Sequence, residues 1–243
     1  MNLQLCVPHT PCPYACPHCV SNSDTDISTA INHSWWQNNQ QEYCNRLCKV
    51  ILSHDIKAII ITGTTEPTLP QLEPFVDFVH ECLRGKELKI EIQTMNKNYI
   101  PKQGNDYQVL AYSHNWIPSE EEIKKIVLSR NTLSNDTLIR DVFILDHQMK
   151  AIEIMQWWNK MKEMGLSDQC TIKYMQLTSN GHKETDSYVT EHQSLISKED
   201  MITLKNAGIW LDETCLDSLG RYFVFRSDGN LYTSWEFDSK MEI

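Results

Sequence analysis

Residues 56–62, Ile-Lys-Ala-Ile-Ile-Ile-Thr, run straight into Gly63-Thr64-Thr65-Glu66-Pro67-Thr68-Leu69. A continuous β-branched run of this length is the pattern of a strand covered on both faces, not of one with a wet face. Helical spacing follows at once, with Leu72, Phe75, Val76, Val79, Cys82 and Leu83 on one side and a stop near Gly85. The same alternation recurs along the chain. Strands are expected at 3–7, 56–62, 89–94, 107–113, 139–145 and 171–177. Between them lie helical patterns over 35–54, where Trp36, Tyr43, Leu47, Val50 and Ile51 share a face, and over 152–164, which Gly165 closes. Ser119-x-x-Glu122 and Ser197-x-x-Asp200 open two more, the second ending at Gly208. Six strand–helix units predict an α/β fold with a parallel sheet and its helices on the outside. Six units where a closed barrel has eight predict a partial (β/α)6 TIM-like barrel, open at its side.

The reading divides the chain into a barrel, 1–208, and a C-terminal extension, 209–243. In the extension, two strand-like runs flank Ser227-Asp228-Gly229-Asn230, a hairpin signal. That hairpin is expected to cover the barrel mouth. Residues 21–34 are polar and read as a loop.

The second constraint is chemical. Cys12-Pro-Tyr-Ala-Cys16-Pro-His-Cys19 follows the first strand and spaces three cysteines as C-x3-C-x2-C. Three soft nucleophiles this close serve packing poorly and suit a soft metal centre. One loop supplies three ligands, so the fourth position stays open to a ligand from elsewhere. Zinc is the other reading, with Cys6, His9 or His18 as a fourth ligand. Cys44 and Cys48 sit four apart in a helical pattern and read as small buried hydrophobes. Cys170 and Cys215 stand alone, which argues against a second cluster.

The cysteine loop resembles the cluster-binding loop of the radical S-adenosylmethionine (radical SAM) superfamily, and Thr62-Gly63-Thr64-Thr65-Glu66-Pro67 resembles the Gly-rich turn that ends that family's second strand. The resemblance implies a [4Fe–4S] cluster on Cys12, Cys16 and Cys19, with SAM chelating the remaining iron. It implies that Gly63, Thr64, Thr65 and Glu66 receive the SAM amine, that the backbone of His18 meets the adenine, and that Ser113 contacts the ribose or carboxylate. Further contacts are expected from strand ends, at Thr94 and Asn96, His114, Asp146 and His147, and Gln176. Thr64 and Thr65 depart from the family's second glycine, and His18 replaces a larger aromatic. Tyr112, Tyr174 and Trp235 are candidates for the cavity wall, with core packing as their default reading.

The implied activity is reductive cleavage of SAM to a 5′-deoxyadenosyl radical, which takes hydrogen from a substrate C–H bond. A reductant such as flavodoxin or ferredoxin is the implied partner. The substrate is expected to be a peptide or protein side chain, with a nucleotide or small metabolite as the alternative. The cluster loop starts by residue 12, so no peptide-recognition domain is expected before the barrel. A non-catalytic cluster- or zinc-binding regulator is the reading from another class. Composition bounds the partners: a formal charge of −10 argues against broad nucleic-acid binding. No apolar run is long enough to cross a membrane. Nine cysteines without a signal-like N-terminus predict a reducing cytoplasm and few disulfides.

Overall fold

The computed structural model describes residues 1–19, 31–177, 182–194, 196–211, 222–235 and 239–242. All six expected strands form: β1 (Asn2–Val7), β2 (Ala58–Gly63), β3 (Lys89–Thr94), β4 (Val109–His114), β5 (Leu138–Leu145) and β6 (Gln169–Tyr174). They pair in chain order, each parallel to the next. A seventh parallel strand, β7 (Ile209–Leu211), adds to β6 just beyond Gly208. Its three residues are too short to give a periodic signal.

The C-terminal hairpin extends the opposite edge. Strand β8 (Tyr222–Phe225) pairs parallel with β1, and β9 (Leu231–Tyr232) and β10 (Lys240–Met241) continue antiparallel. The result is one sheet in the order β10-β9-β8-β1-β2-β3-β4-β5-β6-β7. The hairpin turn falls at Asp228-Gly229, where Gly229 takes φ 71° and a side chain would strike the Trp35 ring. Cys215 and residues 21–30 of the loop expected over 21–34 lie outside the described residues.

Seven helices are described: α1 (Trp35–Asn38), α2 (Gln40–Ser53), α3 (Glu73–Leu83), α4 (Glu120–Arg130), α5 (Ala151–Glu163), α6 (Lys183–His192) and α7 (Lys198–Asn206). The expected single helix over 35–54 is broken at Asn39, whose backbone leaves helical geometry and whose amide bonds back to the Trp35 carbonyl. The Ser119–Glu122 capping box forms, and the Ser197 hydroxyl caps α7. No helix among the described residues is long and apolar enough to cross a membrane.

Period-two alternation divides the sheet's faces. Leu3, Leu5, Ile59, Ile61, Ile92, Leu110, Phe143 and Ile172 are buried in one core with Tyr43, Leu47, Phe75, Val79, Ile126 and Trp158 of the helices. The alternate residues, including Gln4, Ile60, Glu91, Arg140 and Thr171, line a cavity of about 640 Å³ walled by every strand from β1 to β8. The sheet therefore curves around that cavity. This explains why β2 reads as apolar throughout: Ile59 and Ile61 face the helices, while Ile60 faces the concave side.

Two details set measurable expectations. Val7 pairs with Gly63, and a Cβ on Gly63 would lie 2.9 Å from both the Val7 nitrogen and its Cγ2. Gly63 thus serves close strand contact first. Gly63→Ala is expected to cost about 1–3 kcal/mol, read as a lower urea midpoint at unchanged slope. The second detail corrects an expectation. Cys44 on α2 is joined to Cys82 on α3 by a disulfide with a Cα–Cα distance of 5.4 Å, so Cys44 is not simply a buried hydrophobe. The two positions lie 38 residues apart in sequence, and helical spacing on α2 alone gives no hint of a partner on α3. Cys82→Ala should lower the stability of oxidised protein by about 2–4 kcal/mol. The same substitution should change little in protein kept in dithiothreitol.

Candidate functional site

The loop that leaves β1 and the turn that leaves β2 meet over a second cavity of about 860 Å³, at the C-terminal ends of the parallel strands. Such strand ends are where the backbone changes direction and side chains from several units converge. Cys12, Cys16 and Cys19 all line this cavity, together with His18, Gly63, Thr64, Thr65, Glu66, Ser113 and Gln176. Cys12 is exposed, and Cys16 and Cys19 are half-buried. Between them Ala15 takes φ 42°, a left-handed conformation that costs an L-residue about 1–2 kcal/mol. Strain of this kind persists where the surrounding loop demands it.

Cys16 has the most specific surroundings of the three. Its sulfur lies 3.3 Å from the Met95 sulfur and accepts a hydrogen bond from the Asn115 amide at 3.2 Å. Burial pushes the Cys16 thiol up, and the Asn115 hydrogen bond opposes that. Met95 is itself placed by Glu66. That carboxyl group is only 5% exposed, yet its Oε2 accepts from the Met95 backbone N–H at 2.9 Å. Its Oε1 accepts from the Thr68 N–H at 3.1 Å, the Thr68 hydroxyl at 2.7 Å and the Thr94 hydroxyl at 2.5 Å. Glu66 thereby ties the β2 turn to the end of β3. In the same turn the Thr64 and Thr65 hydroxyls are buried and have no hydrogen-bond partner among the described residues. A buried hydroxyl left unpaired is costly, so two of them facing one cavity suit a polar ligand.

No protein-family model matches the chain. No curated protein matches it either. The reading of the site therefore rests on its own geometry.

Not every expected residue reaches the cavity. Asn96 does not line it: its backbone N–H donates to the Thr94 hydroxyl, its side-chain amide donates to Thr68, and its Oδ1 accepts from the Asn98 N–H. Asp146 does not line it either, because its oxygens accept from the Tyr188 hydroxyl at 3.0 Å and the Gln148 N–H at 3.1 Å and pair with His147 at 2.8 Å. His114 points to the helix side, 2.7 Å from Asp141 and fully enclosed. Burial pushes that histidine well down and pushes Asp141 up to about 7. Tyr112 is in the core as well, whereas Tyr174 and Trp235 line the cavity. Trp235 is held there by Arg226, a buried guanidinium that donates to the Trp235 carbonyl at 2.7 Å and stacks on its ring.

Other residues around the site escaped the sequence reading. Lys97 is buried behind the site, donates to the Ser113 carbonyl and is pushed down to about 8 by burial. Tyr188 reaches the wall from α6, with its ring centroid 6.3 Å from that of His18. Burial pushes the His18 imidazole down, against an opposing pull from Asp146. Gln4, Gln93 and Lys173 also reach the cavity from mid-strand. For these three the two-residue period was the available signal, since each lies on the concave parity of its strand.

The donor set is compatible with an iron–sulfur cluster. Three thiols from one loop face a roomy cavity, with polar side chains lacking partners beside them. Among the described residues no three His, Cys, Asp or Glu side chains converge into a finished metal cage.

Proposed function

We propose that this protein is a radical SAM enzyme and that Cys12, Cys16 and Cys19 hold its [4Fe–4S] cluster. One observation carries the reading: the C-x3-C-x2-C loop lines the same cavity as the unpaired Thr64 and Thr65 hydroxyls and Ser113, at parallel strand ends. With SAM bound, such a cluster supplies one-electron cleavage of the sulfonium and a 5′-deoxyadenosyl radical that abstracts hydrogen from a substrate carbon. The curved sheet is, in this reading, a partial (β/α)6-type barrel. A flavodoxin or ferredoxin supplies the electron.

The chain's own residues divide the remaining work. Glu66 has four donors already, so its part is to hold the turn and place Met95 against Cys16. Thr64 and Thr65 offer their hydroxyls to the polar end of SAM, and Ser113 offers a third hydroxyl from β4. The backbone of His18 meets the adenine, and Tyr188 lies beside it, with ring centroids 6.3 Å apart. Trp235 and Tyr174 exclude water from the reacting carbon, which protects a radical from side reactions.

The deciding experiment is anaerobic reconstitution with iron and sulfide, followed by dithionite and SAM. Release of 5′-deoxyadenosine is expected. Tightly held zinc without acid-labile sulfide, and intact SAM, would replace the enzyme by a metal-binding regulator or scaffold.

Asn115 gives a sharper expectation. An N–H donor to a cluster thiolate favours the reduced state, because that state carries more negative charge on sulfur. Asn115→Leu should keep the iron but lower the reduced-to-oxidised ratio at fixed potential about tenfold, a shift of about 59 mV for one electron. Redox titration followed by electron paramagnetic resonance reads this directly. An unchanged midpoint would remove Asn115 from that role.

A further inference from the structure

The two side chains against the Cys16 sulfur come from different strand ends. Met95 lies one residue past β3 and Asn115 one residue past β4, at 3.3 and 3.2 Å from that sulfur. The Asn115 amide also reaches the Met95 sulfur at 3.9 Å, so the three side chains form one group. The paired register of β3 and β4 stops at Thr94 and Tyr112, short of both residues. Lys97 spans the gap. It lies two residues beyond Met95, and its ammonium donates to the carbonyl of Ser113, two residues before Asn115. The ammonium also stands 5.4 Å from the centre of the Tyr112 ring, on the same strand as Ser113.

Lys97 is only 7% exposed. Burying an ammonium is costly, and a leucine would fill the space without that cost. Burial works against the charge, while Asp141 of β5, Glu122 of α4, Glu66 of the β2 turn and Cys16 work for it. His114 of β4, pushed down first by burial and then by this ammonium, feels the same charge.

We propose that Lys97 is a positioning residue for the cluster: its bond to the Ser113 carbonyl holds Met95 and Asn115 against Cys16, and its positive charge favours the reduced state. The proposal rests on the radical SAM reading for the cluster, and on the Lys97–Ser113 bond for the positioning. Glu66 holds the Met95 backbone from the β2 side, and Lys97 ties that segment to β4. Asn115 is thereby kept within reach of both sulfurs. A fixed cation nearby favours whichever redox state carries more negative charge on sulfur, and removing it favours the oxidised state.

The test compares three variants of the full chain. Lys97→Leu removes donor and charge, Lys97→Gln removes the charge and falls one bond short of Ser113, and Lys97→Arg keeps both. Metal-free protein labelled with 13C-methyl methionine reads the positioning. The Met95 methyl resonance, assigned with Met95→Leu, is expected to move in Lys97→Leu and Lys97→Gln and to stay in place in Lys97→Arg. Redox titration of reconstituted protein, followed by electron paramagnetic resonance, reads the charge. At a fixed potential the Leu and Gln variants are expected to be about tenfold less reduced than the parent, and the Arg variant within about twofold of it. Circular dichroism checks folding, and Lys97→Gln carries both measurements if Lys97→Leu does not fold. An unmoved Met95 methyl in the neutral variants would overturn the positioning. A parental midpoint in those variants, or an equal drop in Lys97→Arg, would overturn the role of the charge. A parent that assembles no cluster strikes the radical SAM reading alone, because the methyl resonance of metal-free protein still decides what the Lys97 bond holds.

Discussion

Cys16→Ala protein, reconstituted with iron and sulfide beside the parent, is expected to emerge colourless with iron at background. Cys12→Ala and Cys19→Ala should behave alike. On the proposed radical SAM reading, a cluster held by three protein thiolates would have no spare ligand, because its fourth iron would be kept for the cosubstrate. Losing one thiolate leaves two, and the remaining cysteines of the described chain cannot substitute. Cys6 and Cys170 are buried within strands, and Cys44 is bonded to Cys82. Cys48 is half-buried on α2, and Cys48→Ala should therefore retain full iron, as should Cys44→Ala despite its loss of the cross-link. Iron and acid-labile sulfide analysis reads every case. Two results would refute the ligand set: normal iron in any of the three loop variants, or loss of iron in the Cys44 or Cys48 variants. About eight irons per chain, the load of two [4Fe–4S] clusters, would refute the single-cluster reading.

The sheet was legible because its signal is local and redundant. β1 to β6 each show a short apolar, β-branched or alternating run bounded by turns, and helices lie between consecutive strands everywhere except between β3 and β4, which nevertheless pair parallel. Signals that need a distant partner were not legible. Helical periodicity places Cys44 on a face of α2 but cannot say that Cys82 comes to meet it. Asn39 breaks a helix that hydrophobic spacing carries straight through, because the apolar stripe continues while the backbone does not. α6 was missed since Lys183–His192 has a weak apolar face, with only Thr185 and Val189 buried. Within the site, the cysteine loop and the β2 turn announced themselves by motif. Lys173 and Gln93 had only their parity on a strand, and Asn96 and Asp146 resemble ligands in sequence yet spend their hydrogen bonds on neighbouring residues.

Glu66 is where sequence and structure assign different work to one residue, and its substitution should have the largest effect outside the cysteines. As a direct acceptor for the SAM amine, its loss would weaken SAM binding and leave stability nearly unchanged. As a nearly enclosed carboxyl group receiving four hydrogen bonds, its loss strands the N–H groups of Thr68 and Met95 and the hydroxyls of Thr68 and Thr94. Leaving buried donors unpaired costs about 1–3 kcal/mol for each one that water cannot reach. Glu66→Ala is therefore expected to lose about 3–5 kcal/mol in urea unfolding. Glu66→Gln keeps the shape but replaces one acceptor oxygen by a donor nitrogen, so it should lose about half as much. The consequences reach the cysteine loop, because Met95 then loses the bond that holds its sulfur beside Cys16. Iron uptake by Glu66→Ala should fall along with stability, in contrast to Thr64→Val and Thr65→Val, which should keep iron and lose SAM affinity. A Glu66→Ala protein as stable as the parent, with normal iron and only weakened SAM binding, would return the carboxyl group to the ligand and remove it from the framework.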